Sequence, residues 1–221
     1  MKALILVDIQ NDFIPRGALP VPAGAEVIPV ANRLQPVFEL VVATQDWHPA
    51  SHGSFAINHP GKNVGEVIDL NGIPQILWPA HCVQNTWGAE FHPLFNRARV
   101  TRVFHKGTDP AIDSYSGFFD NAYRKSTGLE NYLREKNVGE IFIAGLATEY
   151  CVKYTVLDAR KLGFSICVVE DGCRGLELSS GDQATAFAEM RSAGARITQS
   201  DEIIRQAIVR GAHSSTPPSF A

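Results

Sequence analysis

Apolar residues fall along the chain in short β-branched runs separated by longer stretches with helical spacing. Residues 3–8, 40–44, 100–105, 140–145, 164–170 and 196–198 read as strands, several apolar at nearly every position. Such runs suit strands buried on both faces, and their alternation with helical stretches predicts an α/β fold whose six-stranded, mostly parallel sheet is covered by helices on both sides. The clearest helices run from about 149 to 162, ended by Gly163, and from 179 to 192, ended before Gly194. Others are expected at 129–136 and 201–210. A further helix lies within 25–39, where Pro29 and Pro36 blur its start and predict a kink.

Two connections, about 46–90 and 107–127, far exceed the ~2–6 residues usual between strand and helix. The first is rich in Trp, His, Pro and Gly, unlike the Ser/Glu/Lys-rich composition of disorder, and is expected to be an ordered, site-building loop. One domain over residues 1–211 with a frayed tail at 212–221 follows from 221 residues that are 45% hydrophobic.

Charge narrows the partners. Lys plus Arg number 20 against 23 Asp plus Glu, a formal charge of -3, with no block of like charge, which argues against nucleic acid and a polybasic membrane surface. No apolar stretch approaches the ~20 residues of a spanning helix, and the amino terminus lacks a signal-peptide pattern, so a cytoplasmic protein is expected. A homo-oligomer is compatible with these features. The four cysteines, at 82, 151, 167 and 173, form no C-x-x-C pair and read as separate thiols.

Ligands of open parallel sheets bind beyond the carboxyl ends of the strands. Four strand ends carry polar groups: Asp8; Asp46 and His48; His105 and Lys106; and Gly145-Leu146-Ala147-Thr148 leading to Cys151. Cys151 falls near the third position of a helix, with Thr148 as N-cap, where unpaired N–H groups and the helix dipole favour a thiolate. Glu149 must then point elsewhere. A thiol nucleophile needs a proton acceptor and a cation, and the rim offers Asp8 and Lys106, so a Cys-Asp-Lys set is expected. An inert buried thiol is the alternative, better suited to Cys167 within Ser165-Ile166-Cys167-Val168-Val169.

Six of the seven histidines (48, 52, 59, 81, 92 and 105) fall within 58 positions, which invites a metal. Asp46-x-His48 places two side chains on one face of extended chain, and His81 could close the set. Two imidazoles and a carboxylate suit zinc, iron(II) or manganese. This spacing also occurs by chance. His52 is secondary because Pro49 and Gly53 oppose a helix there, and His105 could simply pack behind Lys106.

Five segments in order carry a resemblance: Val7-Asp8-Ile9-Gln10-Asn11-Asp12-Phe13; Gln45-Asp46-Trp47-His48-Pro49-Ala50-Ser51-His52-Gly53-Ser54-Phe55; Trp78-Pro79-Ala80-His81-Cys82-Val83; His105-Lys106-Gly107 with Asp113-Ser114-Tyr115-Ser116; and Gly145-Leu146-Ala147-Thr148-Glu149-Tyr150-Cys151-Val152. Together they resemble the nicotinamidase/pyrazinamidase group of isochorismatase-like cysteine hydrolases. The resemblance implies that group's three-layer α/β/α fold, a catalytic triad of Asp8, Lys106 and Cys151, and a divalent metal (zinc, alternatively iron or manganese) on Asp46, His48 and His81. Ser54 would reach the metal only through water. It further implies a cis peptide between Leu146 and Ala147, an oxyanion hole from the backbone N–H groups of Ala147 and Cys151, and substrate contacts from Phe13, Val21, Trp78, Tyr115, Leu146 and Ala147. The implied reaction is hydrolysis of nicotinamide to nicotinate and ammonia through a cysteine thioester, in NAD salvage, with pyrazinamide as a second substrate and no organic cofactor.

Two other readings compete. Hydrolysis of another amide, a carbamoyl or ureido group, or isochorismate is opposed by the joint presence of Cys151 and the Asp46/His48/His81 set. A non-catalytic, metal-stabilised binding protein would need neither Asp8 nor Lys106.

Overall fold

The computed structural model describes residues 1–214. The strands are β1 (Lys2–Val7), β2 (Leu40–Asp46), β3 (Val67–Leu70), β4 (Ile73–Ile76), β5 (Val100–Lys106), β6 (Glu140–Leu146), β7 (Ser165–Arg174) and β8 (Arg196–Thr198). The helices are α1 (Val27–Leu34), α2 (Leu129–Glu135), α3 (Lys153–Lys161), α4 (Asp182–Ser192) and α5 (Ser200–Ser214). Six strands form one sheet in the order β5-β2-β1-β6-β7-β8, every neighbouring pair parallel. The chain winds outward from β1 to one edge, returns to β6 and winds to the other. That reversal opens a crevice beyond the carboxyl ends of β1 and β6.

Alternation along the buried strands sorts their side chains into two cores. Leu4 and Leu6 of β1 join Val41, Ala43, Phe142 and Val169 under α1 and α5, while Ile5 and Val7 join Val42, Phe104, Ile143 and Val168 under α2, α3 and α4. Among the described residues no helix is long and apolar enough to cross a membrane.

Differences from the sequence pattern cluster at the site. β2, β5, β6 and β7 each run further than expected, to Asp46, Lys106, Leu146 and Arg174. Polar residues normally mark strand ends, but here they are buried and paired, so the ladder continues through them. The helix expected from 149 begins as a wide π-turn, Thr148–Val152, before α3. Thr148 does not cap it; its hydroxyl donates to Gln183 Oε1 at 3.0 Å. The 25–39 region divides into α1 flanked by short 3-10 turns, and Pro29 sits in the first turn of α1, where its missing N–H has no intrahelical partner.

The 46–90 connection is ordered and also contains the antiparallel hairpin β3–β4. Its turn, Asn71-Gly72, has positive φ at both residues (55° and 86°), the primed-turn signal that could have found it. Of the tail expected to fray from 212, residues up to Ser214 continue α5, and 215–221 lie outside the described residues.

Leu6→Ala, at a fully buried position, is expected to cost about 2–5 kcal/mol in urea unfolding, whereas Ile57→Ala, 80% exposed, stays within about 0.5 kcal/mol of wild type.

Candidate active site

Adjacent strand ends bring four charged or nucleophilic groups together. Asp46 and Lys106 are register partners on β2 and β5, so both project to the face that carries Thr44 and Phe104. Asp8 leaves β1 at φ 49°. Lys106 Nζ lies 2.9 Å from Asp8 Oδ2 and 3.2 Å from Cys151 Sγ, donates to the Ser114 carbonyl at 3.1 Å and pairs with Asp46 Oδ1. Carboxylate oxygens of Asp8 and Asp46 and the Cys151 sulfur all lie within 4.8 Å of one another. Cys151 is 6% exposed and Asp8 fully buried.

Burial and charge set the protonation states. Burial would lower the Lys106 ammonium, but Asp46 and Asp8 hold it well above its ordinary value. Burial also opposes ionisation of Asp46, yet Lys106 and His48 keep that carboxyl far below the usual range. Asp8 goes the other way: burial raises it, Lys106 pulls against this, and Asp46 adds to the rise. Cys151 is pushed well above its ordinary value by burial, against the pull of Lys106 and with Asp8 and Asp46 adding. Burial thus opposes the thiolate that the helix position favours, and Lys106 supports it. The raised carboxyl of Asp8 stands beside it as acceptor.

Two imidazoles converge on the other side of Asp46. His48 Nε2 lies 3.6 Å from Asp46 Oδ1 and His81 Nε2 3.8 Å from Asp46 Oδ2, all buried. The second ring nitrogen of each histidine is engaged by a carbonyl, His48 Nδ1 with Gly107 at 2.9 Å and His81 Nδ1 with Pro79 at 2.8 Å, leaving Nε2 aimed inward. Carbonyl-oriented imidazoles facing a carboxylate fit a divalent transition metal. Without one, Asp46 raises His48 against the effect of burial, holding a proton where a cation would displace it. Gly107 adopts φ 64°, and a Cβ there would overlap the His48 ring.

His52 and Ser54 have a different task. The Ser54 N–H donates to His52 Nδ1 at 3.2 Å and its hydroxyl lies 2.7 Å from the same nitrogen. His52 Nε2 is buried without a hydrogen-bond partner, and burial and His48 lower the pKa of the ring to about 4. His105 points to the opposite face, toward Gln45 Oε1 at 3.1 Å.

These groups open onto a pocket lined by Phe13, Trp78, Tyr115, Ala147, Cys151, Asp46, His48 and His81. The Trp78 N–H donates to Tyr115 Oη at 3.2 Å. The peptide between Leu146 and Ala147 is cis. Val21 and Leu146 do not line the pocket: both are fully packed in the core under α1, behind its wall. The pocket-lining residues not anticipated are Leu19, Asp113, Tyr150 and Leu176. Sequence reasoning also missed Thr44, whose hydroxyl donates to Asp8 Oδ1 at 2.7 Å, and Gln10, whose amide exchanges hydrogen bonds with the backbone N–H and carbonyl of Asp46, both at 2.8 Å. A polar Thr44 within an otherwise apolar strand, two residues before Asp46, was the available signal.

Residues 2–202 match the model of the isochorismatase domain, and the chain belongs to that family of α/β proteins. Its particular relatives are narrower. It is 52% identical over 200 residues to a nicotinamidase of Escherichia coli, covering 89% of this chain and 93% of that one. The structure of the yeast nicotinamidase bound to the inhibitor nicotinaldehyde superposes with a TM-score of 0.85 at 32% identity, covering 90% of this chain and all (100%) of that one. The pyrazinamidase of Pyrococcus horikoshii in complex with zinc gives 0.73 at 40% identity, covering 90% and 98%.

Replacing Lys106 by Met leaves two buried carboxylates without their cation, at an expected cost of about 3–5 kcal/mol. In the native chain the depressed Asp46 contributes stability above its unfolded pKa that is lost as pH falls, while the raised Asp8 contributes stability that is lost as pH rises. Removing the cation raises both carboxyls, so urea unfolding across pH is expected to show the variant losing stability more steeply with rising pH than the native chain.

Proposed function

We propose that this chain is a nicotinamidase: it hydrolyses nicotinamide to nicotinate and ammonia through a thioester on Cys151, accepts pyrazinamide through its similar ring, and serves NAD salvage in the cytoplasm. The observation that carries this reading is the Lys106 ammonium within bonding distance of both the Asp8 carboxylate and the Cys151 sulfur, at the base of a pocket walled by aromatic rings. Relatives named for nicotinamide and pyrazinamide hydrolysis, and one bound to a pyridine aldehyde, support the substrate class.

The chain's own residues account for the proton movements. Phe13 and Trp78 hold the flat pyridine ring and bring the carboxamide carbon to Cys151. The thiol proton passes to Asp8 as the S–C bond forms, with Lys106 stabilising the developing thiolate. The backbone N–H groups of Ala147 and Cys151 receive the oxyanion. Asp8 returns its proton to nitrogen as the C–N bond breaks and ammonia leaves. A water then gives a proton to Asp8 and attacks the thioester, the C–S bond breaks, the sulfur regains the proton, and nicotinate is released. This is net hydrolysis, so no organic carrier is required.

Asp46, His48 and His81 would hold one divalent metal, zinc in the first instance with iron or manganese as alternatives; when bound, it supplies a Lewis-acid contact for the pyridine nitrogen. The zinc complex of the Pyrococcus relative supports that choice. Ser54 acts at one remove, through His52.

Purified protein is expected to release ammonia from nicotinamide, and Cys151→Ala to lower that rate by roughly a thousandfold or more while still binding nicotinate in calorimetry. An unimpaired rate in the variant would refute the nucleophile assignment. Chelation is expected to abolish activity and added zinc to restore it. Gly107→Ala, which crowds His48, should weaken zinc affinity roughly tenfold to a hundredfold in a competition titration.

A further inference from the structure

Glu149 is buried two residues before the nucleophile, a position at which a carboxylate would oppose ionisation of Cys151. It is turned away instead. Glu149 Oε1 accepts the Glu177 N–H at 2.7 Å, and Oε2 is buried without a hydrogen-bond partner. Oε2 lies against the backbone of Gly175, where any Cβ would overlap it, so only glycine lets the segment approach so closely.

The contact belongs to a closed circuit. The Glu177 carboxylate accepts the Gly181 and Gln183 N–H groups, both at 2.9 Å, and Gln183 Oε1 accepts the hydroxyl of Thr148, the neighbour of Glu149. Two adjacent residues of the nucleophile turn thereby grip both ends of the 175–183 segment. Between Gly175 and Glu177, Leu176 lines the same pocket as Cys151 and Ala147 and packs against the core cluster that includes Phe13.

We propose that Leu176 is a specificity-determining wall of the substrate pocket, limiting substituents on the ring, and that Glu149 is its positioning residue. The circuit couples the wall to the nucleophile turn, so the distance between sulfur and wall is set by hydrogen bonds and not by a free loop. Removing the Leu176 side chain enlarges the pocket without touching Asp8, Lys106 or Cys151. Removing the Glu149 carboxylate frees the segment and loosens the same wall. This inference rests on the pyridine-carboxamide reading above.

The experiment compares wild type, Leu176→Ala, Glu149→Ala and Glu149→Gln on nicotinamide and its 2-, 4-, 5- and 6-methyl derivatives. Leu176→Ala is expected to raise the kcat/KM of at least one methyl isomer relative to nicotinamide by roughly tenfold. Glu149→Ala should favour the same isomer, raise KM for nicotinamide severalfold and leave kcat within about threefold of wild type. Glu149→Gln keeps an acceptor for the Glu177 N–H and should remain close to wild type. Unchanged isomer ratios in Leu176→Ala would overturn the wall, and a Glu149→Ala that lowers kcat with unchanged ratios would overturn the positioning role. Calorimetric binding of the same amides to a Cys151→Ala background separates the two readings. Selective binding that relaxes in Leu176→Ala, without turnover by the wild type, would uphold the wall and sink the hydrolase.

Discussion

One buried ammonium, that of Lys106, organises the crevice. It is shared by the Asp8 carboxylate, the Asp46 carboxylate and the Cys151 sulfur, each carried by a different part of the chain. Burying one charge uncompensated costs several kcal/mol, and two carboxylates this close cannot both remain ionised without a cation between them. The group is therefore stable only when β1, β2, β5 and the nucleophile turn stand in their native relation. Its electrostatics also divide labour between the acids. Asp46, held far below its ordinary value by Lys106 and His48 against burial, faces His48 through the same Oδ1 that pairs with Lys106 and His81 through Oδ2, while burial raises Asp8.

Asp46 consequently joins two halves of the site. Toward β5 it holds the ammonium, and toward the long loop it faces two imidazoles whose outer nitrogens are pinned by carbonyls. Its backbone is clamped by the Gln10 side chain, which imitates the edge of a neighbouring strand. Other buried side-chain hydrogen bonds knit the loop. Asp12 accepts the N–H of Cys82, next to His81, at 2.7 Å, and Gln75 of the inserted hairpin donates to Asp113 at 3.0 Å beside Tyr115. A connection this long would be costly to order, and these buried polar bonds are what make it a rigid wall instead of a mobile lid.

The crevice lies where strand order reverses, between β1 and β6, and this placement follows from winding and not from any residue in it. Cys151 rises from the end of β6 on a wide turn, and the same turn reaches across through Thr148 and Glu149 to hold the segment after β7. The pocket is thus closed on one side by a loop from early in the chain, carrying Phe13 and Leu19, and on the other by a segment far later, carrying Leu176.

Periodicity by itself determined the parallel sheet and its helices, because apolar runs buried on both faces have a distinctive pattern, and it placed Asp8, Lys106 and Cys151 at strand ends where ligands bind. The ordered motifs carried the Asp46, His48 and His81 cluster and most of the pocket, since residue type and spacing record local chemistry. Strand ends, however, were read short wherever a polar residue appeared, because pairing across strands, as between Asp46 and Lys106, is invisible in one dimension. Tertiary structure alone decided that Val21 and Leu146 belong to the core while Leu19 and Leu176 face the pocket, that the Ser54 hydroxyl lies against His52, and that burial opposes ionisation of the sulfur. Each of these depends on which groups distant in the chain share a low-dielectric space, and burial, not sequence neighbourhood, sets the free energy of charge and hydrogen bond there.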